Sequence, residues 1–369
     1  MKILHVVNSL EPGGMENGVV NMARALEPRG FEVQVACLER RGAFAERLPH
    51  PERVSVLGKA DGFSPRAALR LAREISRLRP AVVHSHNLGA LIYASLATAG
   101  GHRAALLQGE HSQLTADELT PRRLRQRRWL YLACRAVHTV AHPMRDELLA
   151  LGFSAEKISV IPNGVDTAHF APGDRTPARR ALALPADAVC IGIVGRFGPF
   201  KRHEILLGAF DEIAPHWPAA HLVIAGTGGP AEAAVRARAQ AGPHATRIHW
   251  LGFQSDPRAC YQALDLLAIP SVNEGLSNVA LEAMACGLPV LANTGCGHER
   301  IIASGDDGLI ADLATPAALA AQFTALLAQP ERLADFGAKA RAKMLRDFSL
   351  GAMADAYERL YRSLAVSAR

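Results

Sequence analysis

The chain has 369 residues, of which 49% are hydrophobic and 21% charged, and its formal net charge is +6. This length exceeds the size at which one hydrophobic core usually keeps growing, so we expect two domains, and the residue balance excludes an intrinsically disordered protein. Aromatic residues make up only 5%, which argues against a nucleic-acid-binding protein that stacks bases on aromatic rings.

The cysteine pattern predicts neither disulfides nor a zinc site. The six cysteines are scattered, without a CxxC pair or a histidine at metal-ligand spacing. This usage is typical of reduced cytoplasmic thiols. The chain begins directly with a strand pattern and contains no run of 18 apolar residues, so we expect a cytoplasmic protein.

Strand and helix patterns alternate along the first half, as a parallel sheet requires. Strands are predicted at 3–7, 33–38, 81–84, 104–107, 137–141 and 158–162. Helices are predicted at 15–26, 67–78, 88–97 and 144–151. His84 falls inside a predicted buried strand, which favours a structural histidine in the core.

The segment Pro121–Tyr131 contains five arginines and leads into an apolar helix. The arginines are Arg122, Arg123, Arg125, Arg127 and Arg128. One interpretation is a solvated helix face. The other is a surface that contacts an anionic membrane, with arginines on the head groups and Leu124, Trp129, Leu130 or Tyr131 at the interface. The second interpretation predicts a peripheral location at the inner face of the plasma membrane.

The second half repeats the alternation of strand and helix. Strands are predicted at 189–194, 221–225, 248–251, 266–269, 289–292 and 308–311. Helices are predicted at 203–213, 231–241, 278–285, 317–328, 331–347 and 353–366. Turn-forming residues at 163–174 indicate a hinge. The predicted fold class is α/β, with two doubly wound Rossmann-like domains that face an interdomain cleft at the carboxyl ends of their strands.

Two carboxylates, Glu274 and Glu282, lie eight residues apart around the start of the predicted helix 278–285. Ser277 is the predicted N-cap of this helix. The unpaired N–H groups of the first turn suit a diphosphate, and the carboxylates suit sugar hydroxyls. The alternative is a solvated loop acid and an unrelated helix acid. The immediate return to a buried strand at 287–292 favours the ligand pocket.

Three further sets of residues follow predicted strands. Arg196 and Lys201 flank a glycine-proline loop, where two cations can clamp a diphosphate; surface basic residues are the alternative. Gly13–Gly14 permits close approach of a ligand to the backbone, although a simple turn explains it equally well. His86 and His111 carry the side chain that most readily exchanges protons near neutral pH.

Several motifs are missing from the sequence. There is no DxD pair to hold a divalent metal on a nucleotide-sugar diphosphate, no GxxxxGK[ST] loop and no GxSxG. This argues against a P-loop NTPase and an α/β-hydrolase. We therefore predict no metal site, and arginine, lysine and helix amides must neutralise the phosphates.

At these residues the sequence resembles the retaining glycosyltransferases of family 4, which have the GT-B fold. The resemblance covers nearly the whole chain, and its most specific part is the pair of glutamates with the continuation NVALEAMACGLPV. Its other segments are Gly13–Gly14, Ile161–Asp166, Gly195–Arg196 with Lys201, Ala225–Gly228 and Leu251–Phe253.

The resemblance implies a role for each matching residue. Arg196 and Lys201 would hold the donor diphosphate, Glu274 would contact the transferred sugar, and Glu282 would bind the ribose. His111 would approach the donor sugar where the acceptor meets it. The substrate-binding positions are completed by Gly13, Gly14, His86, Asn163, Gly195, Gly275, Leu276, Ser277, Asn278 and Val279. No cofactor is expected, and a UDP-sugar is favoured over a GDP-sugar as co-substrate.

The resemblance also implies a domain plan and an acceptor class. We predict an acceptor-side domain at 1–168, a donor domain at 169–348, and a last helix at 349–369 that returns to the first domain. The N-terminal segment is similar to bacterial sugar transferases of exopolysaccharide or lipopolysaccharide assembly, whose acceptors are glycans or lipid-linked saccharides. Two alternatives stay open, a sugar-nucleotide 2-epimerase and a non-catalytic sugar-nucleotide-binding subunit.

Overall fold

A computed structural model describes residues 1–100, 104–272 and 276–366. The chain divides into two compact units. The first unit comprises residues 1–164 together with the chain from Leu350 onwards, and the second comprises residues 165–349.

The first unit is built on a seven-stranded sheet in which every described strand pair is parallel. The strand order is β3-β2-β1-β4-β5-β6-β7. The direction of winding reverses between β1 and β4, and such a switch point opens a crevice at the carboxyl ends of the strands. The strands are β1 Lys2–Ser9, β2 Glu32–Arg40, β3 Val54–Val56, β4 Val82–His86, β5 Ala105–Glu110, β6 Ala136–Thr139 and β7 Ile158–Val160.

Helices cover both faces of this sheet, which buries its strands on two sides. One core packs against β1 with Val19 and Tyr357 among its members, and the core on the opposite face includes Leu71 and Leu91. The last helix of the chain thus belongs to this unit. The helices are α1 Gly14–Leu26, α2 Pro65–Leu78, α3 Asn87–Thr98, α4 Pro121–Ala133, α5 His142–Ala150 and, at the end of the chain, α13 Leu350–Val366.

The second unit repeats the architecture on a six-stranded parallel sheet of order β10-β9-β8-β11-β12-β13. Its switch point lies between β8 and β11. The strands are β8 Val189–Val194, β9 Ala220–Ala225, β10 Ile248–Gly252, β11 Leu266–Ile269, β12 Val290–Asn293 and β13 Leu309–Ala311. The helices are α6 Arg175–Ala181, α7 His203–Ile213, α8 Glu232–Ala241, α9 Arg258–Ala263, α10 Asn278–Ala285, α11 Pro316–Leu327 and α12 Pro330–Asp347.

The fold class predicted from the sequence is confirmed, because both units are doubly wound α/β sheets. Short elements were missed, namely β3, α6 and α9, since three to seven residues carry too little periodicity to identify. Among the helices that the structure describes, none is long and apolar enough to cross a membrane.

Candidate active site

Glycines form a tight corner at the carboxyl end of β8 in the second unit. The backbone N–H of Gly195 donates to Ala225 O at 2.9 Å, and that of Gly226 donates to Gly252 O at 2.7 Å. Gly226 has φ +143°, and a Cβ built on it would overlap the carbonyl oxygen of Gly195. Only glycine fits here, so two backbone segments approach each other closely at the strand end.

Lys201 lies over this corner. It ends a short helical turn, Pro199–Lys201, between β8 and α7. Its Cε is 3.5 Å and its Nζ 3.8 Å from the position that a Cβ of Gly195 would take. The ammonium group also lies 5.6 Å from the centre of the Phe200 ring. Arg196, immediately after Gly195, is exposed. The corner therefore carries two cations beside backbone that a ligand can approach, which suits a diphosphate.

Helix α10 begins near the end of β11, as predicted. The hydroxyl of Ser277 accepts a hydrogen bond from the backbone N–H of Ala280 at 3.4 Å, so Ser277 is the N-cap. Leu276, Asn278 and Val279 are half-buried around it. The predicted site residues Glu274 and Gly275 lie outside the described residues. The described part of the segment thus contains a capped helix start that follows a sheet strand, a position suited to anion binding.

Glu282 on α10 has a hydrogen-bond partner, Tyr261, that was not predicted from the sequence. The buried hydroxyl of Tyr261 on α9 donates to Glu282 Oε2 at 2.8 Å. Burial and the neighbouring carboxylate raise the pKa of Tyr261 well above its usual value, so the phenol stays protonated. Tyr261 thereby orients the carboxylate. No motif reveals this pair, because α9 and α10 meet only in the folded chain.

His203 is the first residue of α7 and follows the loop that carries Arg196 and Lys201. Its ring stacks on Phe197 with centroids 4.4 Å apart. It is buried, and neither ring nitrogen has a hydrogen-bond partner among the described residues. Burial, followed by the positive charge of Lys201, lowers the pKa of His203 to about 4. The imidazole is therefore neutral in the folded protein at pH 7.

The buried His203 is expected to contribute to the loss of folding stability at acidic pH. Its pKa is near 6.5 unfolded and about 4 folded, so the unfolded state takes up a proton first as the pH falls. Stability is therefore lost between pH 6.5 and 4, by up to about 3 kcal/mol. His203→Phe should reduce this loss in urea unfolding, whereas His216→Asn at an exposed position should not. An unchanged pH dependence in His203→Phe would contradict this account.

In the first unit, Gly13 and Gly14 occupy the junction of β1 and α1. Gly13 is the extended N-cap residue, and its carbonyl accepts from Asn17 N at 3.0 Å. Asn163 is buried near the same helix, since a Cβ on Gly18 would lie 3.1 Å from Asn163 Oδ1. The glycines thus lie at a strand end next to a helix start, and Asn163 lies beside the helix.

His86 and His111 are joined by a hydrogen bond. His86 Nδ1 lies 2.8 Å from His111 Nε2. The backbone N–H of His111 donates to Asn87 Oδ1 at 3.4 Å. Burial lowers the pKa of His111 to about 4, so its ring is neutral at pH 7. His86 is fully buried and forms this hydrogen bond, so it positions the His111 ring.

The structure corrects the predicted arginine surface. Arg127 and Tyr131 are buried, whereas the membrane interpretation placed the whole segment 122–131 at the surface. The Arg127 guanidinium forms ion pairs with Glu110 and Glu118. Arg127 and Tyr131 lie one helical turn apart and face the sheet, because i and i+4 share one side of a helix. No pattern in the sequence indicates Glu110 as their partner.

The comparisons with known proteins agree with this geometry. Residues 12–169 match the model described as Glycosyltransferase Family 4, and residues 174–343 match Glycosyl transferases group 1. A D-inositol 3-phosphate glycosyltransferase of Geodermatophilus obscurus is 30% identical over 88% of this chain and 79% of its own length. The chain belongs to glycosyltransferase family 4. It is a glycosyltransferase, as the sequence predicted.

Another relative spans nearly the whole chain. D-inositol 3-phosphate glycosyltransferase 2 of Catenulispora acidiphila is 27% identical over 98% of this chain and 93% of its own length. Among solved structures, Anabaena HepE in complex with UDP has a TM-score of 0.86 at 22% identity, covering 98% of this chain and all of that one. HepE has also been solved with UDP-glucose. The likeness shows the GT-B fold, which confirms the expected fold family.

Proposed function

We propose that this glycosyltransferase moves a hexose from a nucleoside diphosphate sugar, with retention of configuration, to a glycan or lipid-linked acceptor of cell-surface polysaccharide synthesis. The observation that best supports a nucleoside diphosphate sugar as donor is the position of Lys201 over the glycine corner at the end of β8. UDP is the favoured nucleotide because HepE binds UDP and UDP-glucose.

Each proposed role follows from charge and position. Arg196 and Lys201 neutralise the diphosphate and stabilise the charge that develops on it as it leaves. The amides of Leu276–Val279 add phosphate contacts at the start of α10. Glu282, oriented by Tyr261, accepts hydrogen bonds from the ribose hydroxyls. The role assigned to Glu274 is binding of the transferred sugar, and His111, neutral at pH 7, can form a hydrogen bond with a sugar hydroxyl.

A panel of donors and acceptors tests this proposal. Purified protein is incubated with UDP-, GDP- and ADP-sugars, and thermal shift and nucleotide release are measured with a membrane extract or with inositol 3-phosphate as acceptor. We expect stabilisation by a UDP-sugar and release that depends on the extract. Nucleotide release that occurs with inositol 3-phosphate but not with the membrane extract would show that the proposed acceptor class is wrong. Conversion of the donor without any acceptor would indicate an epimerase.

Tyr261→Phe should weaken donor binding. The substitution removes the hydroxyl that orients Glu282, and a hydrogen bond to a charged group contributes about 1.5–3 kcal/mol. We expect the KM for the donor to rise roughly tenfold with kcat nearly unchanged. Tyr93→Phe, which removes an acceptor for Ser64 N in the other unit, serves as the control. An unchanged KM for the donor in Tyr261→Phe would contradict the proposal that Tyr261 positions Glu282.

We also propose that the exposed face of α4 contacts an anionic membrane. Trp129 and Leu132 are 71% and 69% exposed. Four exposed arginines share the helix with them: Arg122, Arg123, Arg125 and Arg128. Apolar side chains beside cations are typical of an interfacial helix, in which both contribute to binding.

Flotation with phosphatidylglycerol vesicles tests the membrane proposal. Wild-type protein should float at low salt and less at high salt. Trp129→Ser with Leu132→Ser should reduce the floating fraction severalfold. Leu69→Ser, at an exposed apolar position on α2, should leave it unchanged. Equal flotation of the double variant, or none of the wild type, would contradict the proposal.

A further inference from the structure

Five histidine side chains lie together on one face of the first sheet. They are His5 on β1, His84 and His86 on β4, His138 on β6 and His111 directly after β5. The strand register explains the grouping, since His5 lies opposite His84 and residues two apart on a strand share a face. Four of the five are fully buried.

Hydrogen bonds link these rings in two rows. In the first row, His5 Nδ1 lies 2.9 Å from His86 Nε2, and His86 Nδ1 lies 2.8 Å from His111 Nε2. In the second row, His84 Nε2 lies 2.8 Å from His138 Nε2. The rings of His84 and His86 are 4.2 Å apart between centroids, so the two rows form one cluster.

Gly109 on β5 makes room for the cluster. It lies between His86 and His138 in the sheet register. A Cβ built on Gly109 would lie 2.6 Å from His138 Nε2 and 3.0 Å from the Nε2 atoms of His84 and His111. Three ring nitrogens therefore converge on a point that any larger residue would fill.

The hydrogen bonds within the protein do not satisfy these rings. A neutral imidazole has one N–H donor and one lone pair. Whichever direction the N–H donors point along the row from His5 to His111, the ring nitrogens at its two ends have no partner within the row. These two nitrogens, His5 Nε2 and His111 Nδ1, are indeed buried without a partner in the described part of the chain. Such groups in a native fold are few, and a bound water or ion is one arrangement that satisfies them.

The row is also poorly suited to carry protons away from His111. Its far end, His5 Nε2, is buried and meets no acceptor among the described residues. A proton that entered at His111 would therefore have no exit through His5. A species bound between the first-row residues and His84 accounts better for the leftover nitrogen of His5.

We propose that His5, His84 and His86 bind a structural transition-metal ion that prefers nitrogen ligands, Zn²⁺ foremost. One ring nitrogen from each lies within 4.8 Å of the others. Imidazole nitrogens around a tetrahedral Zn²⁺ are about 3.3 Å apart, given Zn–N bonds of about 2.0–2.1 Å. The nitrogens would have to approach one another by up to about 1.5 Å to reach this spacing, and His84 and His86 would each exchange one present ring hydrogen bond for the ion. The ion takes no part in sugar transfer, and the site departs from the sequence expectation of no metal.

The surroundings support such an ion. Burial lowers the pKa of His84 and His86 well below the usual value and that of His5 to about 3, which keeps the ring lone pairs available. The Tyr361 hydroxyl lies 2.8 Å from His84 Nδ1 and fixes that ring. The three-histidine group contains no carboxylate, so it disfavours Mg²⁺ and Ca²⁺.

Metal analysis of tag-free full-length protein tests the proposal. Protein expressed with added zinc should retain about one equivalent of Zn²⁺ after gel filtration, and Co²⁺ loading should give a visible tetrahedral absorption band. X-ray absorption at the zinc edge should show nitrogen ligands with imidazole scattering. Zinc below one tenth of an equivalent, together with no cobalt band, would overturn the proposal and leave a hydrogen-bonded cluster.

Variants locate the ion. His5→Asn and His84→Gln should each lower the bound zinc at least fivefold. The control is His221→Asn with His249→Asn, which removes another histidine pair, 2.8 Å apart in the second unit, and should keep the full equivalent. Zinc retained by His5→Asn and His84→Gln would place the metal elsewhere. If these variants do not fold, X-ray absorption at the zinc edge of the wild-type protein tests whether histidines bind the ion.

Discussion

Lys201→Ala is expected to lower kcat for sugar transfer by roughly 10²–10³-fold, the usual effect of removing one preorganised group that stabilises developing charge. Lys201 holds its ammonium group beside the glycine corner, where the side chain passes over Gly195. The diphosphate gains charge as the sugar departs, and no DxD pair is present to hold a metal there. A steady-state assay of nucleotide release measures the loss.

A matched substitution separates the site effect from a general loss of charge. Lys339 lies in the same unit on α12, is exposed, and pairs with Asp306 and Asp335. Lys339→Ala should keep kcat within about twofold, because exposed ion pairs contribute little. Both variants should unfold at similar urea concentrations. Full activity in Lys201→Ala would show that the donor diphosphate lies elsewhere.

Arg127→Met is expected to destabilise the first unit by about 3–5 kcal/mol, because it leaves a buried carboxylate without its partner. The Arg127 side chain has no exposed surface and forms an ion pair with Glu110, while its Nη2 donates to Glu118 Oε1 at 2.7 Å. Tyr131 Oη donates to Glu110 Oε1 at 2.5 Å. Urea unfolding monitored by tryptophan fluorescence measures the change.

Two further variants make the Arg127 prediction specific. Arg123→Met, at an exposed position on the same helix, should change stability by less than about 0.5 kcal/mol. Glu110→Gln combined with Arg127→Met should recover much of the loss, since no buried charge is then left unpaired. Equal stability of Arg123→Met and Arg127→Met would contradict the buried ion pair.

Much of the fold could be predicted because the two sheets are regular and their strands are buried on both faces. The strand Val189–Val194 and the helices His203–Ile213 and Asn278–Ala285 have the predicted bounds. Ser277 is the predicted cap. These elements combine a long apolar pattern with a clear turn or cap at each end, which is the information that local sequence carries.

What the sequence could not predict depends on contacts between distant segments. Tyr261 meets Glu282 across two helices, and Glu110 at the end of β5 meets Arg127 on α4. Five arginines at a helix start look alike in sequence, yet one of them is buried. The histidine cluster forms because strand register aligns residues up to 133 positions apart, from His5 to His138.

The most direct test of the account is the stereochemistry of transfer. Purified protein is supplied with the UDP-α-hexose that the donor panel identifies, labelled with ¹³C at the anomeric carbon, and with the acceptor fraction that supports nucleotide release. The anomeric carbon of the product is followed by NMR. We expect an α-linked product together with stoichiometric UDP, and formation of both roughly 10²–10³-fold slower in Lys201→Ala. A β-linked product would contradict a retaining family 4 transfer.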